Sequence, residues 1–291
     1  MSQKSSHNKK KVASLSAILV AILVVVLGFI IVSGHNKSGE SAKGKKVVTV
    51  GIIGSNDVPI WKQVNKELAS KHIYADVKVF SDGEALNQAT NSGQIDINSF
   101  QHYAFLHQEV SQKNYKLTAI GNTYIQPLNI YSKKIKNVKD LKEGDKIAIP
   151  NNPTNAGRAL KVLEKAGLIK TNPAKGYSPT VSDITSNPKK LQIIEVDPAA
   201  IIKLLPNFAA GITNSNFVQA NHLNPAKDSI FAIAPNINDS YNKPWINILV
   251  TKTSEENNKT YKEVVNAYHS KAVYDLIEKE YKGVSLPAFK Y

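Results

Sequence analysis

The sequence predicts an α/β protein built mainly on parallel sheets and preceded by a transmembrane helix, on three observations. Short β-branched runs alternate with stretches of helical spacing from Val47 to the C-terminus, an uncharged apolar run stands near the N-terminus, and a polar stalk joins the two. With 291 residues, 42% of them hydrophobic, the chain is long enough to bury a sizeable core.

The N-terminal elements set the location. Lys4, Lys9, Lys10 and Lys11 form a basic segment over residues 1–12, and the run from Ala13 to Val32 carries no charge. That run matches the roughly 20 residues a helix needs to cross a bilayer, so 13–33 reads as an anchor. Positive charge before it and a polar segment after it place the N-terminus in the cytoplasm and everything beyond Gly34 outside. A cleaved signal ending near Val32-Ser33-Gly34 is the rival, although a signal core is usually about 7–15 residues. Residues 34–46 are Gly, Ser, Lys and Asn-rich and read as a flexible stalk.

Val47–Ile53 has the composition of a strand, and Ile60, Val64 and Leu68 give 60–71 a helical face. Ala75–Phe80 alternates as a strand, while Glu84–Ser92 and Gln101–Lys113 read as helices. Strands follow at Leu117–Thr123 and Leu128–Ser132. A second series opens with the strand Lys146–Pro150 and a helix from about Asn155 to Ala166, ended by Gly167. Further strands are expected at Leu191–Glu195, Ala209–Thr213, Ile230–Ile233 and Ile246–Thr251, and helical patterning runs from Asn258 to Tyr281. Thr171–Lys190, rich in Pro, Ser, Thr and Asn, reads as a surface loop with a helical turn near Ser182–Thr185.

Composition removes several function classes. Lys and Arg total 37 against 23 acids, a net +14, but half of that excess lies in Met1–Lys46, with eight lysines and one glutamate. The remaining lysines are scattered, without the basic face interleaved with aromatics that nucleic acid requires. The sequence has no cysteine, which removes disulfides, thiolate metal sites, thiol catalysis and acylation of a cysteine. No nucleophile elbow, zinc helix, Walker loop or dinucleotide fingerprint is present, so an enzyme is not expected. His102 and His107 are five apart and do not share a helix face, so no metal site and no cofactor is expected.

The stretch Pro150-Asn151-Asn152-Pro153-Thr154-Asn155-Ala156-Gly157-Arg158-Ala159-Leu160 carries the most chemistry. It lies where a strand gives way to a helix, whose free N–H groups and partial positive charge suit an anion. Arg158 is the only arginine in the sequence. Its planar fork can grip a carboxylate through two parallel hydrogen bonds, which a lysine cannot. An ordinary surface ion pair is the plain alternative.

With these residues in view, the chain resembles the methionine-binding lipoprotein family, the NlpA-type binding proteins of methionine ABC importers. DINSFQHYAFL at Asp96–Leu106 and PNNPTNAGRAL are similar to two of its blocks, as are KVLEKAGLI, DITSNPKKL, the Asn-x-Asn of Thr213–Phe217 and Trp245-Ile246-Asn247-Ile248. The resemblance implies a two-lobed periplasmic-binding-protein fold of type II with a ligand cleft between the lobes. Lobe 1 would be 47–132 with 245–291 and lobe 2 would be 133–244, hinged near Tyr131–Lys133 and Asn238–Ile248. It implies a monomer that captures methionine or a related amino acid and passes it to an ABC permease and its ATPase. Carried over by position, Arg158 binds the ligand carboxylate. Asn155, Asn214 and Asn247 supply amide groups, and Phe100, His102 and Phe105 line the side-chain pocket. Read alone, the phenylalanines would be core residues, His102 structural, and Asn214 and Asn247 turn residues.

The chain also departs from the family pattern, with Gly83 in place of a tyrosine, Asp57 in place of a histidine and Phe105 in place of a second tyrosine. The losses predict an enlarged pocket, and Asp57 becomes either a partner for a ligand ammonium or a helix cap before Pro59. A different amino acid or a small dipeptide is therefore an alternative ligand. An extracellular enzyme or a surface adhesin is the alternative from another class.

Overall fold

The computed structural model describes residues 42–234, 236–281 and 285–291. The basic segment 1–12, the expected anchor 13–33 and the stalk as far as residue 41 lie outside them. No helix among the described residues is long and apolar enough to cross a membrane.

The chain enters its first sheet with β1 (Lys46–Ile53), whose Val48, Val50 and Ile52 alternate into the core. α1 (Val58–Leu68) buries Ile60, Trp61, Val64 and Leu68 along one face. Its buried Asn65 donates to Ala75 O at 2.9 Å and accepts from Ala75 N at 2.8 Å, fastening the helix to edge strand β2 (Ile73–Phe80). Then come α2 (Gly83–Ser92), β3 (Ile97–His102), α3 (Tyr103–Lys113) and β4 (Leu117–Ile125). The second sheet opens with β5 (Leu128–Tyr131), β6 (Lys146–Pro150) and α4 (Pro153–Lys165). A two-stranded ladder of β7 (Lys170–Thr171) and β8 (Ile184–Ser186) precedes β9 (Gln192–Val196), α5 (Ile201–Leu204), β10 (Ala210–Asn214), α6 (Ser215–Ala220) and β11 (Ser229–Phe231). The chain returns through β12 (Ile246–Lys252), α7 (Lys259–Tyr268), α8 (Lys271–Glu280) and β13 (Leu286–Pro287).

One six-stranded sheet runs β13-β4-β12-β3-β1-β2 and one five-stranded sheet runs β11-β5-β10-β6-β9. Each has its own core. Trp61, Val64, Ile97 and Tyr268 pack in the first, and Ile147, Ile149, Leu160, Leu163 and Ile212 in the second. Both sheets are mixed rather than mainly parallel. β1 pairs in parallel with β2 and β3, but β12 is antiparallel to β3 and β4, and β5 is antiparallel to β10 and β11. The antiparallel partners are the strands next to the two crossings between sheets, where connections other than β-α-β units join neighbours.

Four further expectations change. Leu128–Tyr131, expected in the first lobe, pairs with β10 in the second sheet, so the outward crossing lies at Gln126-Pro127 and not at Tyr131–Lys133. Ile97–His102 is a strand, and the helix expected from Gln101 begins at Tyr103. The loop Thr171–Lys190 contains the β7–β8 ladder, with its helical turn at Val181–Asp183. The C-terminal helical stretch divides at Ser270, whose hydroxyl caps α8 by accepting from Val273 N–H at 3.3 Å.

Candidate functional site

Between the sheets lies a cleft of about 650 Å³, lined from both sides, and all eight expected site residues line it: Asp57, Phe100, His102, Phe105, Asn155, Arg158, Asn214 and Asn247. Its size falls in the range of small-molecule sites.

The wall on the second sheet is the N-terminus of α4. Asn152 caps the helix by accepting from Asn155 N–H at 3.2 Å, and Pro153 occupies the first turn, where its missing N–H costs nothing. The next free donor, Thr154 N–H, goes to Gln108 Oε1 at 3.1 Å, a side chain of α3 on the other sheet. Gly157 lets the loop of β7 and β8 lie directly on the helix, because a Cβ there would meet Pro179 O and Ser178 Cα at 3.1 Å. The first turns of α4 are buried, including Arg158, which is only 7% exposed.

Arg158 donates from Nη2 to Gln126 O at 2.6 Å, and its guanidinium lies 4.9 Å from the centre of the Trp245 ring. Among the described residues no carboxylate pairs with it. The surface ion pair is therefore excluded. Burial lowers its pKa to about 10, which leaves it charged at neutral pH. A buried charge without a counter-charge is costly, and a bound anion removes that cost.

His102 ends β3 and caps α3: its Nδ1 accepts from Phe105 N–H at 3.1 Å. Burial, and then the nearby Arg158 charge, lower its pKa to about 3, so the ring is neutral. With Nδ1 an acceptor, the proton belongs on Nε2, which donates to Asn155 Oδ1 at 3.1 Å. Asn214 Nδ2 donates to the same oxygen at 3.3 Å. Two donors on Asn155 Oδ1 fix that amide's orientation and leave its N–H₂ for the cleft. They leave Asn214 Oδ1 a buried acceptor with no partner among the described residues, at the edge of the same cleft. Asn214 occupies the cap position of α6 without capping it, and Asn247 stands opposite His102 in the β12–β3 ladder.

The aromatic wall comes from an irregularity in β3. Ile248 faces Gln101 and Leu249 faces Ser99, which leaves Phe100 as the extra residue of a bulge. The bulge puts Asn98 and Gln101 into one buried amide network: Asn98 donates to Asn87 and Thr90 at 3.1 and 2.9 Å, and Gln101 donates to Asn87 at 2.6 Å. Phe100 and Phe105 meet edge to face, 5.9 Å apart. The enlargement expected at Gly83 is partly filled, because Phe100 Cε2 lies 2.6 Å from where a Cβ of residue 83 would stand.

Asp57 occupies the cap position of α1, but its side chain makes no cap hydrogen bond. Instead it accepts from Tyr124 Oη at 2.7 Å and Tyr281 Oη at 2.9 Å. Burial raises its pKa, against the two hydroxyls that lower it. The tyrosines, Gln126 and Trp245 escaped the reading of the sequence. Only Trp245 had a signal there, as a member of Trp245-Ile246-Asn247-Ile248.

Two mixed sheets with separate cores and a polar cleft between them define the architecture of a periplasmic substrate-binding protein. The NlpA lipoprotein family matches residues 48–289, and the chain belongs to that family. It is 38% identical over 269 residues to Lipoprotein 28 of Escherichia coli K12, covering 91% of this chain and 95% of that protein. It is 34% identical over 248 residues to the D-methionine-binding lipoprotein MetQ of the same strain, covering 84% and 89%. A nutrient binding protein from Burkholderia cenocepacia solved with methionine superposes with a TM-score of 0.78 at 36% identity, over 83% of this chain and all of that one (100%). Members of the family are extracytoplasmic and membrane-associated.

Proposed function

We propose that this protein captures methionine or a related amino acid outside the cytoplasm and delivers it to an ABC permease and its ATPase. The observation that carries the reading is Arg158, a buried guanidinium that faces the cleft with no anionic partner among the described residues. A ligand carboxylate takes its two-pronged donor face beside the Asn155 amide. The ligand ammonium satisfies Asn214 Oδ1, with Asn247 adjacent in the cleft lining. The side chain lies against Phe100, Phe105 and the neutral His102 ring. The site holds and releases its cargo without changing it, and the protein works as a monomer tethered by residues 13–33.

Asp57 favours a second reading of the ligand. Its partners are tyrosine hydroxyls, so its oxygens keep lone pairs for a further donor, while Asn214 Oδ1 already offers an acceptor on the opposite wall. A cargo with a second donor, such as another amino acid or a small dipeptide, would use both. Calorimetry with L- and D-amino acids and methionine-containing dipeptides tests both readings. Tightest binding of methionine supports the first, and dipeptides binding tighter than either free amino acid support the second. Absence of binding by every compound with a free carboxylate contradicts both.

A further inference from the structure

We infer that Trp245 is a positioning residue for ligand binding, aiming Arg158 into the cleft from outside it. The inference rests on the proposed carboxylate role of Arg158. Trp245 is 1% exposed and does not line the cleft, yet it touches a residue from each part that does. The Arg158 guanidinium lies over its ring at 4.9 Å, and His102 of the first sheet meets it edge-on at 5.1 Å. Tyr177, from the loop lying on Gly157, packs against it at 5.8 Å.

Trp245 ends the turn Ser240–Trp245 on the returning crossing between the sheets. Tyr241 N–H to Asp239 Oδ1 and Asn242 Nδ2 to Asn236 O, each 2.9 Å, tie the turn to the residues just before it. The other fixed contact of Arg158, Gln126 O, belongs to the outward crossing. The guanidinium is therefore held between the two chain segments that join the sheets. A cation over an indole face keeps the N–H groups that Gln126 O does not use free for an anion, which a carboxylate neighbour would not.

Trp245→Leu keeps a large apolar side chain and removes the aromatic face. It should weaken methionine binding by roughly tenfold to thirtyfold, the worth of a desolvated cation–π contact. Methioninamide, which lacks the carboxylate, should change by less than about threefold, and Trp245→Phe should recover most of the loss. Melting of each variant, measured alongside, corrects for any loss of folded protein. Equal weakening of both ligands, or no weakening of methionine, overturns the inference. A ligand-free measurement decides the contact separately. The sequence has two tryptophans, so in a Trp61→Phe background Trp245 is the sole indole, and Arg158→Lys should shift its emission. Unchanged emission overturns the contact whether or not methionine binds, whereas wild-type protein that ignores methionine counts against the proposed cargo.

Discussion

Arg158 was legible in the sequence because it is the only arginine in a lysine-rich chain and sits in the first turns of a helix. What the sequence could not show is that its surroundings leave it buried and without a carboxylate partner among the described residues, a consequence of packing among segments distant in the chain. Replacing it with Ala should cost about 2–5 kcal/mol of ligand binding, as for charge pairs that lose one buried partner. Arg158→Lys should recover only part of this, because an ammonium cannot form the parallel pair of hydrogen bonds. Calorimetric titration of the three proteins checks the order. Asp57 shows the reverse case. The sequence permitted a helix cap or a ligand partner, and two tyrosine hydroxyls far along the chain rule out the cap. His102 yields a pH prediction. Its pKa of about 3 in the fold lies below the ordinary 6.5, so between these values the unfolded chain holds the extra proton. Stability is therefore lost as pH falls through that window, by up to about 1.4 kcal/mol per pH unit from this group. The melting temperature of His102→Gln should fall less steeply than that of wild type between about pH 6.5 and 5. Parallel slopes would show that His102 is not held neutral.

At the scale of elements, the helices with clear apolar spacing were readable, and β3 was not. Its sequence, INSFQH, is mostly polar, because its buried face is filled by an amide network in place of hydrocarbon and a bulge breaks the alternation of the pleat. The division of the C-terminal helices at Ser270 was hidden because apolar spacing continues through both halves. For α4 the strand before it and the glycine after it marked the helix, while Asn152 and Pro153 start it two residues ahead of the expected Asn155. Gly157 in its interior costs about 1 kcal/mol of helix propensity relative to alanine, and is kept for the close approach of Tyr177–Pro179. Gly157→Ala should therefore destabilise by about 1–3 kcal/mol despite the better helix former, through crowding against backbone that cannot step aside. Denaturant unfolding measures this, and a stabilised variant would show that the loop yields.

Across the whole molecule, direct bonds join the two sheets' elements beside the cleft. Asn56 Nδ2 donates to Asn216 O at 3.0 Å, His102 Nε2 bonds Asn155 Oδ1 at 3.1 Å, and Thr154 N–H bonds Gln108 Oε1 at 3.1 Å. None was predictable, since each pairs residues from opposite walls. The two-sheet plan itself was read from family likeness, while alternation alone supplied the α/β class and erred on parallel pairing. A ligand shifts the balance between closed and open forms only through contacts it makes better in one of them. In the proposed site those contacts centre on Arg158. The most direct test is calorimetric titration of methionine and methioninamide into wild-type protein and Arg158→Ala. The expected result is saturable binding of methionine by wild type, with a loss of at least tenfold both on amidating the ligand and on removing the guanidinium. Equal affinity for methionine in wild type and Arg158→Ala would contradict the assignment of Arg158 as carboxylate anchor, and with it the proposed site.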